Sequence, residues 1–267
     1  MPAMPRAGFG VFAGLVAAGV ASGQEAPPLV TDRPDQTESA AVVPVGAFQF
    51  EVGARFAQAG SGAARLKALS IPGSLLRIGI FPLFEARLGF AGWLRSSQSG
   101  TGPVSGMGDL DLGGKVRVLT GDGLSPAVAL LAAVVLPTGQ DGFGTVRADP
   151  AVRVAFSHGL TERISLGYNV GAMWGSVDGG AGATKTDTDL LYTVVLGSAL
   201  TSRLSGFIEG FGTVATETVN ASTHSLDGGF TFLVTATVQL DASGGFGLNE
   251  AADDWFGGIG LSLRVPR

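Results

Sequence analysis

The sequence predicts an all-β protein, a transmembrane antiparallel up-and-down β-barrel of about 12 strands. Three observations predict it: a composition rich in apolar residues and poor in charge, an export leader with no later membrane helix, and a period-two alternation that runs to the C-terminus. Of 267 residues, 45% are hydrophobic and only 15% charged, against about 25% charged in an ordinary soluble domain. With 43 glycines as well, little polar surface is left for a water-soluble globule. The net charge of -5 is too small, and the chain too apolar, for intrinsic disorder. No Lys/Arg run marks a nucleic-acid surface. The absence of cysteine removes disulfides, thiolate metal sites and thiol chemistry.

The first element is the leader. Arg6, an apolar stretch from Ala7 to Val20 and then Ala21-Ser22-Gly23 read as a secretory signal peptide over 1-23, cut near Gly23. The apolar stretch is short of the ~20 residues that a membrane-spanning helix needs. The longest later apolar run, Ala127 to Leu136, lies between Pro126 and Pro137 and is also too short. An exported, apolar chain without spanning helices can satisfy its backbone in lipid only as a closed barrel. Residues 24-45 have no strand pattern and are expected to be a periplasmic segment. Asp32, Arg33 and Asp35 within it are candidates for a plug of the barrel mouth.

The barrel itself is expected over 46-267. Leu110, Leu112, Val116 and Val118 alternate with Asp109, Asp111, Lys115 and Arg117, so one face of that strand is aliphatic and the other charged. Phe48, Phe50, Val52 and Phe56 alternate likewise with Gln49, Glu51, Gly53 and Arg55. The same pattern places strands at 46-57, 65-80, 84-95, 108-119, 126-137, 149-158, 164-175, 188-200, 204-215, 227-235, 238-248 and 255-265. Strand 204-215 breaks the rule because Phe207 and Glu209 share a face, which suggests a bulge or a misplaced register. Long Gly/Ser/Thr-rich connections around 96-107, 138-148, 176-187 and 216-226 alternate with short ones, the asymmetry of outer loops and periplasmic turns. Trp174, Trp255 and Tyr192 fall at outer, lipid-facing ends, and Phe48, Phe81, Phe84 and Phe156 at periplasmic ends, as two aromatic belts. Parity turns Trp93 inward. A soluble β-sandwich would also alternate, but it needs a well-charged exterior that this chain lacks.

With that framework in place, the residues resemble a known outer-membrane family, the transporters associated with the phenol-degradation meta pathway. The resemblance rests on Thr31-Asp32-Arg33-Pro34, Gly46-x-x-Gln49-x-Glu51-x-Gly53 and Leu76-Arg77-Ile78-Gly79. Gly108-Asp109 leading to Gly114-Lys115, Leu136-Pro137-Thr138-Gly139 and Leu240-Asp241 continue it in order. It implies a small outer-membrane barrel with a transport role. The ending Val265-Pro266-Arg267 departs from the aromatic terminal residue that the barrel-insertion machinery usually reads.

Catalytic chemistry is not expected, and the chain reads as a channel rather than an enzyme. There is no phosphate loop, no zinc helix and no sign of a cofactor or resident metal. His158 and His224 fall in connections on opposite sides of the membrane. Ser157-His158 is the one pair that could serve a lipid-modifying enzyme, and a solvated turn histidine explains it as well. The glycine-rich run 100-108 reads as a flexible loop.

The informative set is the inward charges. Parity places Arg55, Arg65, Lys67, Arg77, Arg87, Lys115, Arg117, Arg153 and Arg264 inside, with Glu51, Glu85, Asp109, Asp111 and Asp241, and leaves Glu209 unassigned. These residues are candidates for the lumen lining, either as a structural salt-bridge ladder or as a slightly basic conduit. The function expected is diffusion of small solutes, such as aromatic compounds, with a mild preference for anions. The alternative is a structural barrel without transport. Expected partners are outer-membrane lipid, a small-molecule solute and the barrel-insertion machinery during assembly, and not nucleic acid.

Overall fold

The structure is a computed structural model, and it describes residues 28–122, 124–178, 184–217 and 221–266. The leader expected over 1-23 lies outside the described residues. One antiparallel sheet of fourteen strands closes on itself through pairing of β1 with both β14 and β2. In chain order the strands are β1 (Phe48–Ala59), β2 (Leu66–Phe81), β3 (Phe84–Phe90), β4 (Trp93–Gln98), β5 (Val104–Met107), β6 (Leu110–Asp122) and β7 (Ser125–Leu136). Then follow β8 (Asp149–Gly159), β9 (Ile164–Asp178), β10 (Thr184–Ala199), β11 (Leu204–Ala215), β12 (Thr223–Thr235), β13 (Val238–Gly247) and β14 (Trp255–Val265). Both β3 and β4 pair with β2, while β6 pairs with β3 and β5 with β4. β3 with β4, and β5 with β6, are therefore each one stave interrupted in the middle, and the barrel has twelve staves. Closure pairs the staves side by side around the barrel, with β5 alone of the described strands paired on one side only, so the ladders satisfy the spanning backbone within the protein.

The two faces of the wall invert the usual rule of burial. Leu110, Leu112, Val116 and Val118 of β6 are exposed, while Lys115 between them is 0% exposed. Phe48 and Phe50 of β1 are exposed, while Gln49 and Glu51 are buried. Charged groups are rarely buried in soluble proteins. A continuous apolar exterior around a charged interior has lipid as its solvent, and the molecule is an outer-membrane barrel. Cross-strand partners share a face, so the register extends this assignment around all twelve staves.

The ends differ in length. Short turns join β2 to β3, β8 to β9, β10 to β11 and β12 to β13, and both termini of the barrel lie at that end. The opposite end carries the longer connections, including 137–148 and 248–254. Short turns and termini mark the periplasmic side.

Several sequence expectations are corrected here. The run 100–108 is not all loop, because Val104–Met107 forms β5 against β4. His158 and His224 lie in strands β8 and β12 rather than in connections. β11 has no bulge: its register with β10 and β12 is unbroken, and Phe207 and Glu209 both face inward, with Ile208 exposed between them. Trp93 faces lipid, in register with the exposed Ile71 and Met107. Lys67 also faces out, opposite Gln58, whose other partner is the exposed Trp255, and Arg65 lies before the strand. The cause is a register shift between β1 and β2 near Gly53 and Arg55, which reverses the parity of the outer half of β2. Gly92 marks the matching break between β3 and β4. Its φ is +89°, and a Cβ there would lie 2.5 Å from the Pro72 carbonyl oxygen.

Candidate functional site

Residues 28–45 do not stay outside the barrel. They hydrogen-bond to inward side chains from staves all around the wall, which is possible only if the segment crosses the lumen in its periplasmic half. It enters beside β14, where Arg264 donates to the Pro28 carbonyl at 3.1 Å. Gln49 of β1 and Arg77 of β2 donate to the Val30 carbonyl, and Gln239 of β13 donates to the Thr31 hydroxyl. The segment then reaches the far wall. The Gln36 N–H and the Thr37 hydroxyl donate to Glu209 of β11, and Thr37 also reaches Thr193 of β10. Glu38 exchanges two hydrogen bonds with the Asn169 amide of β9, and the Ala40 N–H donates to the Ser157 hydroxyl of β8. On its way back the Val43 N–H donates to Glu85 of β3. Ala40 packs with Ala129 and Ala155 of the wall, small side chains that let the backbone come close.

At the centre lies an ionic lattice. The Asp32 carboxylate sits 2.6 Å from Arg87, 2.9 Å from Lys115 and 3.1 Å from Arg77. Arg77 is 2.8 Å from Glu85 and 3.1 Å from Glu51, and Arg87 is 3.0 Å from Glu85. Glu38 completes it, 2.8 Å from Arg87 and 3.2 Å from Lys115. Three cations of the wall thus meet two acids of the wall and two of the segment. Without Asp32 and Glu38, buried positive charge would exceed negative, and its desolvation would go uncompensated. Burial alone would push Asp32 up, but Arg77, Lys115 and Arg87 hold its carboxyl well below the usual carboxylate range.

Arg33 forms a second anchor. Its guanidinium pairs with Asp241 at 3.3 Å, donates to the Ile259 carbonyl and lies against Gly53 and Gly260. These two glycines are register partners on β1 and β14. A Cβ on either would occupy the guanidinium's place. Asp35 is different. It has no ion pair among the described residues, and burial first, then the Glu209 carboxylate, pushes it well above the usual carboxylate range.

The remaining sequence candidates have other surroundings. Arg153 donates to the Gln36 carbonyl. Asp111 projects over Gly89 of the neighbouring β3. Arg55 pairs with Asp253 at 2.7 Å and stacks over Phe256. The Arg117 Nε is buried without a hydrogen-bond partner. Asp109 does not face an open conduit. Its carboxylate accepts the N–H groups of Thr138, Gly139 and Thr145 and so pins the outer loop after β7. The expected basic surplus is corrected as well, since Arg77, Arg87 and Lys115 are all consumed by acids. Ser157 and His158 point to opposite faces of β8. Ser157 meets the segment inside, while His158 stacks on Tyr168 outside, so the pair cannot act together. Glu38 and Asn169 escaped the sequence reading. Asn169 sits at an inward parity position between Gly167 and Gly171. Glu38 lies where no periodicity exists to place it.

Above the segment the inner wall changes character. Register turns Ala133 and Val135 of β7, Met173 of β9 and Leu191 of β10 towards the lumen, while Leu131, level with Lys115, packs on the cluster around Ala40 of the segment. Phe211 and Phe256 meet edge to face there, with centroids 5.9 Å apart.

Solved structures share this architecture. An outer membrane channel from Pseudomonas putida F1 is similar at 19% identity with a TM-score of 0.67, over 84% of this chain and 97% of that one. The NanC porin is similar at 10% identity and a TM-score of 0.53, over 81% and 98%. The transport unit of the autotransporter AIDA-I from Escherichia coli is similar at 11% identity and a TM-score of 0.52, over 88% and 93%. At these identities the likeness is one of fold. No curated protein matches the chain. Residues 31–265 carry the sequence pattern of the family described as "Putative MetA-pathway of phenol degradation", and the chain belongs to that family.

Proposed function

We propose that the protein is an outer-membrane channel that passes small, poorly polar solutes by diffusion, without catalysis, and that the segment expected over 24-45, of which 28–45 are described, forms its periplasmic plug. The observation that carries this reading is the apolar and aromatic strip inside the outer half of the lumen. A barrel stabilised only by its charges has no need of Val135, Met173, Leu191 and Phe211 on the inner wall. Such a strip lowers the cost of taking an apolar solute from water into a narrow pore. Arg55 over Phe256 and Arg153 on the opposite side add polar contacts for a hydroxyl or carboxylate on the solute. The family's association with phenol degradation supports the same class of cargo. The test is flux into proteoliposomes. A small aromatic solute should enter faster than a sugar of similar mass, and Val135→Asp together with Leu191→Asp should remove the difference.

The ionic lattice favours a second reading, a structural barrel filled by its own N-terminal segment. Equal exclusion of both solutes, by the native protein and by a variant with its segment released, would support it.

A further inference from the structure

A cavity of about 470 Å³ opens at the short-turn end, between the Pro34–Asp35 bend and staves β9 to β13. That volume lies within the range of small-molecule sites. Its wall is mixed: Val30 and Pro34 of the segment and Val195, Phe207 and Leu233 of the barrel form an apolar part, beside hydroxyl, amide and charged side chains. Asp35 lines it, yet no ion pair engages its carboxyl among the described residues. The groups facing Asp35 make the charge imbalance plain. Glu209 of β11, Asp227 of β12 and Asp32 of the segment act on it, and all three are acids. Arg33 also lines the cavity, but Asp241 engages its guanidinium. Glu162 and Arg163 of the β8–β9 turn contribute one charge of each sign at the rim.

A carboxyl without an ion pair, set beside an apolar stretch of wall and other acids, is complementary to an ammonium group on an apolar body. We propose that this vestibule is a binding site for small amphipathic amines, with Asp35 receiving the ammonium group and Phe207 and Leu233 packing on the apolar part. The site depends on the docked segment and not on conduction, so a barrel that passes nothing would still bind.

Calorimetric titration of the purified, detergent-solubilised protein tests it with three probes that share one body: benzylamine, benzyl alcohol and benzoate. Benzylamine is expected to bind about tenfold more tightly than benzyl alcohol, as a charge-assisted hydrogen bond exceeds a neutral one, and benzoate more weakly than either. Asp35→Asn should bring benzylamine to within about twofold of benzyl alcohol and leave the alcohol unchanged. Asn relieves repulsion with Glu209, so this variant keeps the segment docked. A second variant, Leu233→Trp, fills the cavity from the wall and should weaken both probes. The proposal is overturned if benzylamine shows no preference over the alcohol, if its preference survives Asp35→Asn, or if Leu233→Trp leaves binding intact.

Discussion

At the residue scale the decisive property is which face of the wall a side chain occupies. Leu112 is 47% exposed towards lipid, while its neighbour Asp111 faces the lumen over Gly89. An arginine on the lipid face near mid-membrane costs about 2–4 kcal/mol, whereas the lumen tolerates charge. Leu112→Arg should therefore lower the yield of assembled, heat-modifiable barrel several-fold, and Asp111→Asn should leave it unchanged. A gel comparing unboiled and boiled samples reads both. The Gly53–Gly260 pair makes a second claim at this scale. Gly260→Val would put a branched side chain where the Arg33 guanidinium lies. The Arg33–Asp241 pair should break, and the segment should become cleavable by protease near Arg33 while the barrel stays resistant. Continued protection in that variant would contradict the anchoring role.

At the scale of elements, carboxylates hold both the segment and the outer loop. Asp109 accepts three backbone N–H groups from the loop after β7. Hydrogen bonds to a charged group contribute about 1.5–3 kcal/mol each. Asp109→Ala should therefore speed hydrogen exchange at Thr138, Gly139 and Thr145 by at least about tenfold, with the staves unaffected. Docking of the segment depends on pH through Asp32 and Asp35 with opposite signs. Asp35 is raised when docked, so its contribution is complete below the ordinary aspartate value of about 3.9 and is lost as pH rises through the raised value. Asp32 is lowered, so its contribution is present above that ordinary value and is lost as pH falls through the lowered one. Docking is tightest between the two shifted values. Opening events in a planar bilayer should therefore become more frequent as pH is raised through the Asp35 value, and Asp35→Asn should flatten that rise. A flat profile in the native protein would remove Asp35 from the docking account.

Much of this was legible in the sequence because a strand records its own facing. The alternation along β6 separates Leu112 from Asp111 without any knowledge of the partner strands, and the even strand number follows from the turns. What stayed hidden is what alternation cannot carry. The register shift beside Gly53 and Arg55 belongs to a pair of strands, so Lys67 and Trp93 were assigned to the wrong face. Phe207 beside Glu209 looked like a defect only because an inward aromatic has no reason until a segment and a cavity are there to meet it. The meeting of Asp32 and Glu38 with Arg87 and Lys115 joins positions far apart along the chain, and no local pattern encodes it.

At the scale of the whole molecule, two solvents and one internal segment explain the composition. Lipid outside accounts for the apolar residues, and the segment inside accounts for the buried charge. Closure of twelve staves predicts a barrel that resists detergent and migrates faster before boiling than after. The lattice around Asp32 predicts that the segment is held by its own chain's charges. Removing one partner of a buried ion pair costs about 3–5 kcal/mol, and each 1.4 kcal/mol is tenfold in an equilibrium. Asp32→Asn should shift the docking equilibrium by at least about a hundredfold on that scale. The most direct measurement is single-channel recording in a planar bilayer, native protein against Asp32→Asn. The account predicts small, infrequent openings in the native protein and larger or far more frequent ones in the variant, with both barrels equally heat-modifiable. Silence in both, with barrel closure intact and the segment of the variant cleavable by protease, would contradict the channel.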